Sequence, residues 1–188
     1  MTERPGRTPQ TMVLFGDSLL GQMGKGLTSQ VEQLAPGWLV LNCATGGFTA
    51  RDGADRVAAV QRIAARQVIL SFGLNDAAQS QLIPSGEFAE LLRGIINALP
   101  PAKVAMLLPP QVIESRLAAG SARTCALVAD YRNAGREACE STAATIIDGE
   151  LLAARVRDAG ADSHDLDGVH LSEALYGELV TEFVSLVG

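Results

Sequence analysis

A chain of 188 residues, 47% apolar and only 4% aromatic, suits one domain with a core built mainly from Leu, Val, Ile and Ala; that composition excludes a disordered chain. Its formal net charge of −6, with no Lys/Arg cluster, excludes nucleic acid and anionic membrane as main partners. No run reaches the roughly 18 unbroken apolar residues of a membrane-spanning helix, so no integral membrane segment is expected.

Residues 1–10 are polar, carry two prolines and lack the apolar core of a secretory signal. They read as a flexible N-terminal segment ahead of one domain over residues 11–188. The apolar run 12–15 predicts a short buried strand. Helical spacing follows at Leu19, Leu20, Met23, Leu27, Val31 and Leu34. Further strands are predicted at 39–42, 67–72, 103–108 and 145–147, with helical periodicity between them. Phe88, Leu91, Leu92, Ile95, Ile96 and Leu99 fit one helix face, and Leu171, Leu175, Leu179 and Phe183 recur every fourth residue near the end. Alternating strands and helices imply a parallel sheet with helices on both faces, an α/β/α sandwich. Three cysteines, Cys43, Cys125 and Cys139, form no close pair. They predict reduced thiols and, with the absent signal, a cytoplasmic location.

In such sheets ligands bind beyond the carboxyl ends of the strands. The first predicted strand ends in Gly16-Asp17-Ser18-Leu19, which places Ser18 on a turn entering a helix. Free backbone N–H groups there favour developing negative charge, although Asp and Ser are also ordinary caps. A serine needs a base, and the base needs a partner that fixes its tautomer. His170 is one of two histidines, and Asp167 lies three residues before it, close enough to bend back to the imidazole. His164 has Ala161 at that offset. The second strand leads into Thr45-Gly46-Gly47-Phe48, whose glycines let a backbone N–H approach a ligand. The third leads into Gly73-Leu74-Asn75-Asp76, whose Asn75 amide is a side-chain donor. Acyl transfer needs donors of this kind around the forming oxyanion.

These blocks resemble the SGNH hydrolases, also called GDSL esterases and lipases, and they span the chain from Gly16 to His170. The resemblance implies Ser18 as nucleophile and oxyanion donor, Gly47 as backbone donor and Asn75 as amide donor. It also implies Asp167 as base-orienting acid and His170 as general base. Phe48 stands where relatives often carry an acidic residue, so Gly46 is the alternative to Gly47. A flavodoxin-like five-stranded sheet of order 2-1-3-4-5 follows from the same resemblance, as does a site without metal or organic cofactor. Asp17 reads as a structural residue of the turn.

Other chemistries fit poorly. Gly24-Lys25 is followed by Gly26 and has Leu19 where a P-loop needs glycine. Two histidines without a close cysteine pair do not make a zinc site. Leu20 breaks the nucleophile elbow of the α/β-hydrolases. The expected activity is therefore hydrolysis of a small-molecule acyl ester, of a small or lipid-like alcohol, through an acyl-enzyme on Ser18. A thioesterase, lysophospholipase or acyltransferase would use the same site, and a non-catalytic binding module would use Ser18 only as a cap. Phe48, Leu74, Pro110 and Val112 are the expected substrate-contacting side chains. Oligomeric state is not legible.

Overall fold

The computed structural model describes residues 8–99, 103–121 and 123–187. Five strands form one parallel sheet: β1 (Gln10–Gly16), β2 (Trp38–Asn42), β3 (Gln67–Ser71), β4 (Lys103–Leu108) and β5 (Thr145–Asp148), in the order β2-β1-β3-β4-β5. Seven α-helices are described: α1 (Ser18–Gly21), α2 (Lys25–Leu34), α3 (Ala50–Gln61), α4 (Ser85–Asn97), α5 (Cys125–Thr142), α6 (Gly149–Asp158) and α7 (Glu173–Ser185). This is the α/β sandwich and strand order that the sequence leads one to expect. Each predicted strand overlaps an observed one to within two residues at either end.

Alternation along β1 sorts its side chains onto two cores. Met12 and Leu14 pack with Leu19, Leu20, Val31, Leu152, Leu175 and Leu179, under α1, α2, α6 and α7. Val13 and Phe15 pack with Val60, Phe88, Leu92 and Ile95, under α3, α4 and α5. Burial of both sheet faces explains why the strands read as unbroken apolar runs rather than as alternating ones. Among the described residues no helix is long and apolar enough to cross a membrane.

Two expectations need correction. The helical run from Leu19 to Leu34 is two helices, not one. The Asn42 side chain at the end of β2 donates from Nδ2 to the carbonyls of Leu20 (2.8 Å) and Met23 (3.0 Å), holding them away from a continuing helix. Gly24 then serves as the N-cap from which α2 restarts, and Leu34 is left 61% exposed. The bounds of the expected flexible segment, residues 1–10, also reach into the sheet. Residues 1–7 lie outside the described residues, but Gln10 already pairs with Trp38 in the sheet.

The carboxyl ends of β1 and β3 cross at very short range. Gly16 is in register with Ser71, and a Cβ built on Gly16 would stand 2.0 Å from the Ser71 carbonyl oxygen. Backbone on backbone cannot give way. Gly16→Ala is therefore expected to lower the unfolding free energy by about 3 kcal/mol or more in urea titrations. Gly177→Ala, inside α7 with nothing within 4 Å of the added carbon, is expected to raise it slightly, by about 0.5–1 kcal/mol. Equal effects at the two positions would refute the close crossing.

Candidate active site

Asp17 sets the geometry of the turn after β1. It is fully buried and N-caps α1, accepting from the Leu19 N–H at Oδ1 (3.0 Å). The same oxygen accepts from Ser71 Oγ (3.0 Å), while the Asp17 N–H donates to the Ser71 carbonyl (2.9 Å). Ser18 is thereby fixed as the first residue of α1, where first-turn N–H groups lack intrahelical acceptors. Asp17 is thus the structural residue the sequence suggests.

The partner histidine comes from the loop before α7. Asp167 Oδ1 accepts from the N–H groups of Val169 and His170, both at 2.9 Å, and its Oδ2 lies 2.5 Å from His170 Nδ1. Burial acts to raise the Asp167 pKa, but these two backbone donors and the His170 ring outweigh it and hold the carboxyl down to about 2. An ionised carboxylate only accepts, so Nδ1 carries the proton. Nε2 lies 3.1 Å from Ser18 Oγ, and in the neutral ring its lone pair faces that hydroxyl. The loop is closed by an isolated bridge between His164 and Leu171 and by the Asp165 N–H on the His170 carbonyl. His164 itself faces inward, buried, with Nδ1 3.0 Å from Ser163 Oγ and its pKa lowered by desolvation.

On the other side of Ser18 lie the loops after β2 and β3. Asn75 Nδ2 donates to the Phe48 carbonyl (3.0 Å). The neighbouring Asp76 is buried and accepts from the N–H groups of Ala50 (2.8 Å) and Gly73 (2.9 Å), pinning the start of α3 to this loop. Gly46 runs beside Ser18: a Cβ on it would lie 3.8 Å from the Ser18 Cβ. Gly47 has φ +84°, a conformation that favours glycine. Neither glycine N–H meets an acceptor among the described residues.

A pocket of about 230 Å³ opens at this point, walled by Ser18, Leu74, Asn75, Arg123, Asp167 and His170, with Leu117 and Val169 beside them. Of the four expected contact side chains only Leu74 lines it. Pro110 and Val112 require correction: both are buried, Pro110 against Gly149 at the start of α6 and Val112 in the core under α6 and α7. Phe48 turns its ring away, stacked under the Arg56 guanidinium at 4.4 Å, and contributes only its carbonyl. Sequence reasoning missed Arg123, which lies in a polar loop without periodicity, and Ser71, hidden in an apolar strand. Among the described residues no cluster of His, Cys, Asp and Glu could hold a metal ion.

Compared with known proteins, residues 14–177 match the GDSL-like Lipase/Acylhydrolase family. No curated protein matches the sequence. Among solved structures, a lipase/acylhydrolase from Enterococcus faecalis superposes with a TM-score of 0.83 at 24% identity, over 95% of each chain. An acetyl xylan esterase, AlAXEase, gives 0.78 at 17% identity over 95% of this chain and 100% of that one. Est24, a carbohydrate acetylesterase from Sinorhizobium meliloti, gives 0.71 at 15% identity over 94% and 99%.

Desolvation dominates the Asp17 carboxyl and raises its pKa from 3.8 to about 7, against the hydrogen bonds from Leu19 and Ser71 that lower it. Between those two pH values the folded chain holds a proton that the unfolded chain has released, so this group's contribution to stability falls as pH rises. Asp17→Asn keeps an acceptor for Leu19 and Ser71 and has no such proton. In chemical denaturation, the stability of wild type minus that of Asp17→Asn is expected to decline from pH 5 to pH 8. A pH-independent difference would contradict the assignment.

Proposed function

The chain belongs to the GDSL-like lipase/acylhydrolase family and is an ester-hydrolysing serine hydrolase, and we propose that it works through an acyl-enzyme on Ser18. The observation that carries this reading is the line of contacts from Asp167 through His170 to Ser18, 2.5 Å and 3.1 Å long. A hydroxyl hydrogen-bonded to a neutral imidazole, itself held by an ionised carboxylate, is arranged to lose its proton as it attacks.

In the first step His170 Nε2 takes the Ser18 proton as Oγ bonds to the ester carbonyl carbon. The carbonyl oxygen becomes an oxyanion facing the Ser18 N–H, the Gly47 N–H and the Asn75 amide, with Gly46 alongside. Such donors stabilise the transition state because the charge they face develops only there. Collapse expels the alcohol, which receives the proton from His170. Water then attacks the acyl-enzyme by the same proton route and regenerates Ser18. Asp167 stays ionised and stabilises the imidazolium formed in each half-reaction.

The pocket is small and its apolar wall short, formed by Leu74, Leu117 and Val169. That size favours a short acyl group over a long lipid chain. Two of the similar structures are described as acetyl esterases, which supports the same choice.

Hydrolysis of a chromogenic acetyl ester tests the reading. Ser18→Ala and His170→Ala are each expected to lose nearly all turnover, keeping only about 10³–10⁴ over the reaction in water. The double variant is expected to be little worse than either, since the pair acts as a unit. Mass spectrometry after treatment with a serine-directed phosphonate should place the adduct on Ser18. Near wild-type turnover by Ser18→Ala would overturn the mechanism, and activity lost with His164 rather than His170 would overturn the choice of base.

A further inference from the structure

Asn75 is held from two sides, and one of the holders lies far away in sequence. Its Nδ2 donates to the Phe48 carbonyl (3.0 Å), and its Oδ1 accepts from Arg123 Nη2 (3.2 Å). Arg123 is anchored in turn, because its Nε donates to the carbonyl of Leu74, the residue before Asn75, at 2.7 Å. Both donors belong to one planar guanidinium, whose fixed fork suits two acceptors on adjacent residues. Phe48 can only accept at its carbonyl and Arg123 can only donate. Together they determine which end of the amide is oxygen and which is nitrogen.

A side-chain amide has two N–H donors, and Phe48 takes one. The other meets no acceptor among the described residues, and Asn75 lines the pocket together with Arg123, Ser18 and His170. Without Arg123, only the Phe48 carbonyl would oppose a half-turn of the amide, which would exchange the two ends and present an oxygen to the oxyanion. A cation on the amide oxygen also draws electron density from the nitrogen, which strengthens the remaining N–H as a donor.

We propose that Arg123 is a positioning residue of the oxyanion site: its fork, resting on the Leu74 carbonyl and the Asn75 amide oxygen, locks the amide with its free N–H toward the reacting carbonyl. This rests on the reading of Asn75 as an oxyanion donor. Arg123 itself need not touch the substrate. Its effect is exerted in the transition state, through a donor whose bond tightens as charge develops.

Steady-state rates on the chromogenic acetyl ester for wild type, Arg123→Met, Asn75→Ala and the double variant test this. Asn75→Ala is expected to lower kcat by about 10²–10³. Arg123→Met should lower kcat by about 10- to 100-fold through a misplaced amide, with KM changing much less. In the Asn75→Ala background the same Arg123 substitution should change kcat by less than about threefold, because the group it positions is gone.

A general structural defect would instead add to Asn75→Ala, and a lost substrate contact would raise KM. Either result, or an unchanged kcat in Arg123→Met, would overturn the proposal. Thermal melts establish that each variant is folded. Should Arg123→Met fail to fold, Arg123→Lys carries the test, since it keeps the charge and loses the fork. A kcat loss seen only when Asn75 is present supports the proposal, and an equal loss in both backgrounds overturns it. If Ser18→Ala is inactive while Arg123→Met retains full kcat, only the role of Arg123 falls. Turnover by Ser18→Ala would remove the esterase reading on which it rests.

Discussion

The contact between Asp17 and Ser71 organises everything around it. Two central strands are brought within backbone contact at Gly16, and immediately beyond that crossing the Asp17 carboxylate joins Ser71 Oγ to the Leu19 N–H. One oxygen thus ties the end of β3 to the first turn of α1, and Ser18 lies in the chain between Asp17 and Leu19, which that oxygen joins. A carboxyl group this deeply buried costs stability when ionised. Its position is paid for by the rest of the fold, notably by two aliphatic cores that sandwich the sheet. Ser18, the proposed nucleophile, is consequently placed by sheet geometry rather than by a flexible loop.

The opposite wall repeats this arrangement in a different form. Asp76 receives the N–H groups of Ala50 and Gly73, so the start of α3 and the end of β3 move together. Asn75, next to it, takes its orientation from Phe48 and Arg123, which arrive from two further loops. Segments after β1, β3 and β4 and before α7 converge on one small pocket, and polar side chains tie loops to backbone elsewhere: Asn75 to Phe48, Asp76 to Ala50 and Arg123 to Leu74. Rigidity of this kind suits stabilisation of a developing charge, because the donors need not reorganise as the reaction proceeds.

Much of this was legible in the residues. Strands in a parallel sheet are short apolar runs on both faces, so their positions could be read from hydropathy alone, and the three-residue offset from Asp167 to His170 separated that histidine from His164. What could not be read were tertiary contacts that leave no local pattern. The break between α1 and α2 depends on Asn42 reaching across from β2. Pro110 and Val112 look like surface apolar residues in a loop, yet packing draws them under α6 and away from the pocket. Arg123 stands in a polar stretch with no periodicity, and only the folded chain shows that its guanidinium meets Asn75.

The distance along the chain between Ser18 and His170, 152 residues, has a consequence for how the molecule comes into being. The turn bearing Ser18 is synthesised well before the loop bearing the imidazole and the helix behind it. Tyr176 on α7 donates its hydroxyl to the Leu19 carbonyl, so docking of that helix also completes the packing around the turn bearing Ser18. On the proposed mechanism, until it docks Ser18 is an ordinary alcohol with no base at hand. Chemical competence therefore arrives, on that mechanism, only when this long-range contact closes.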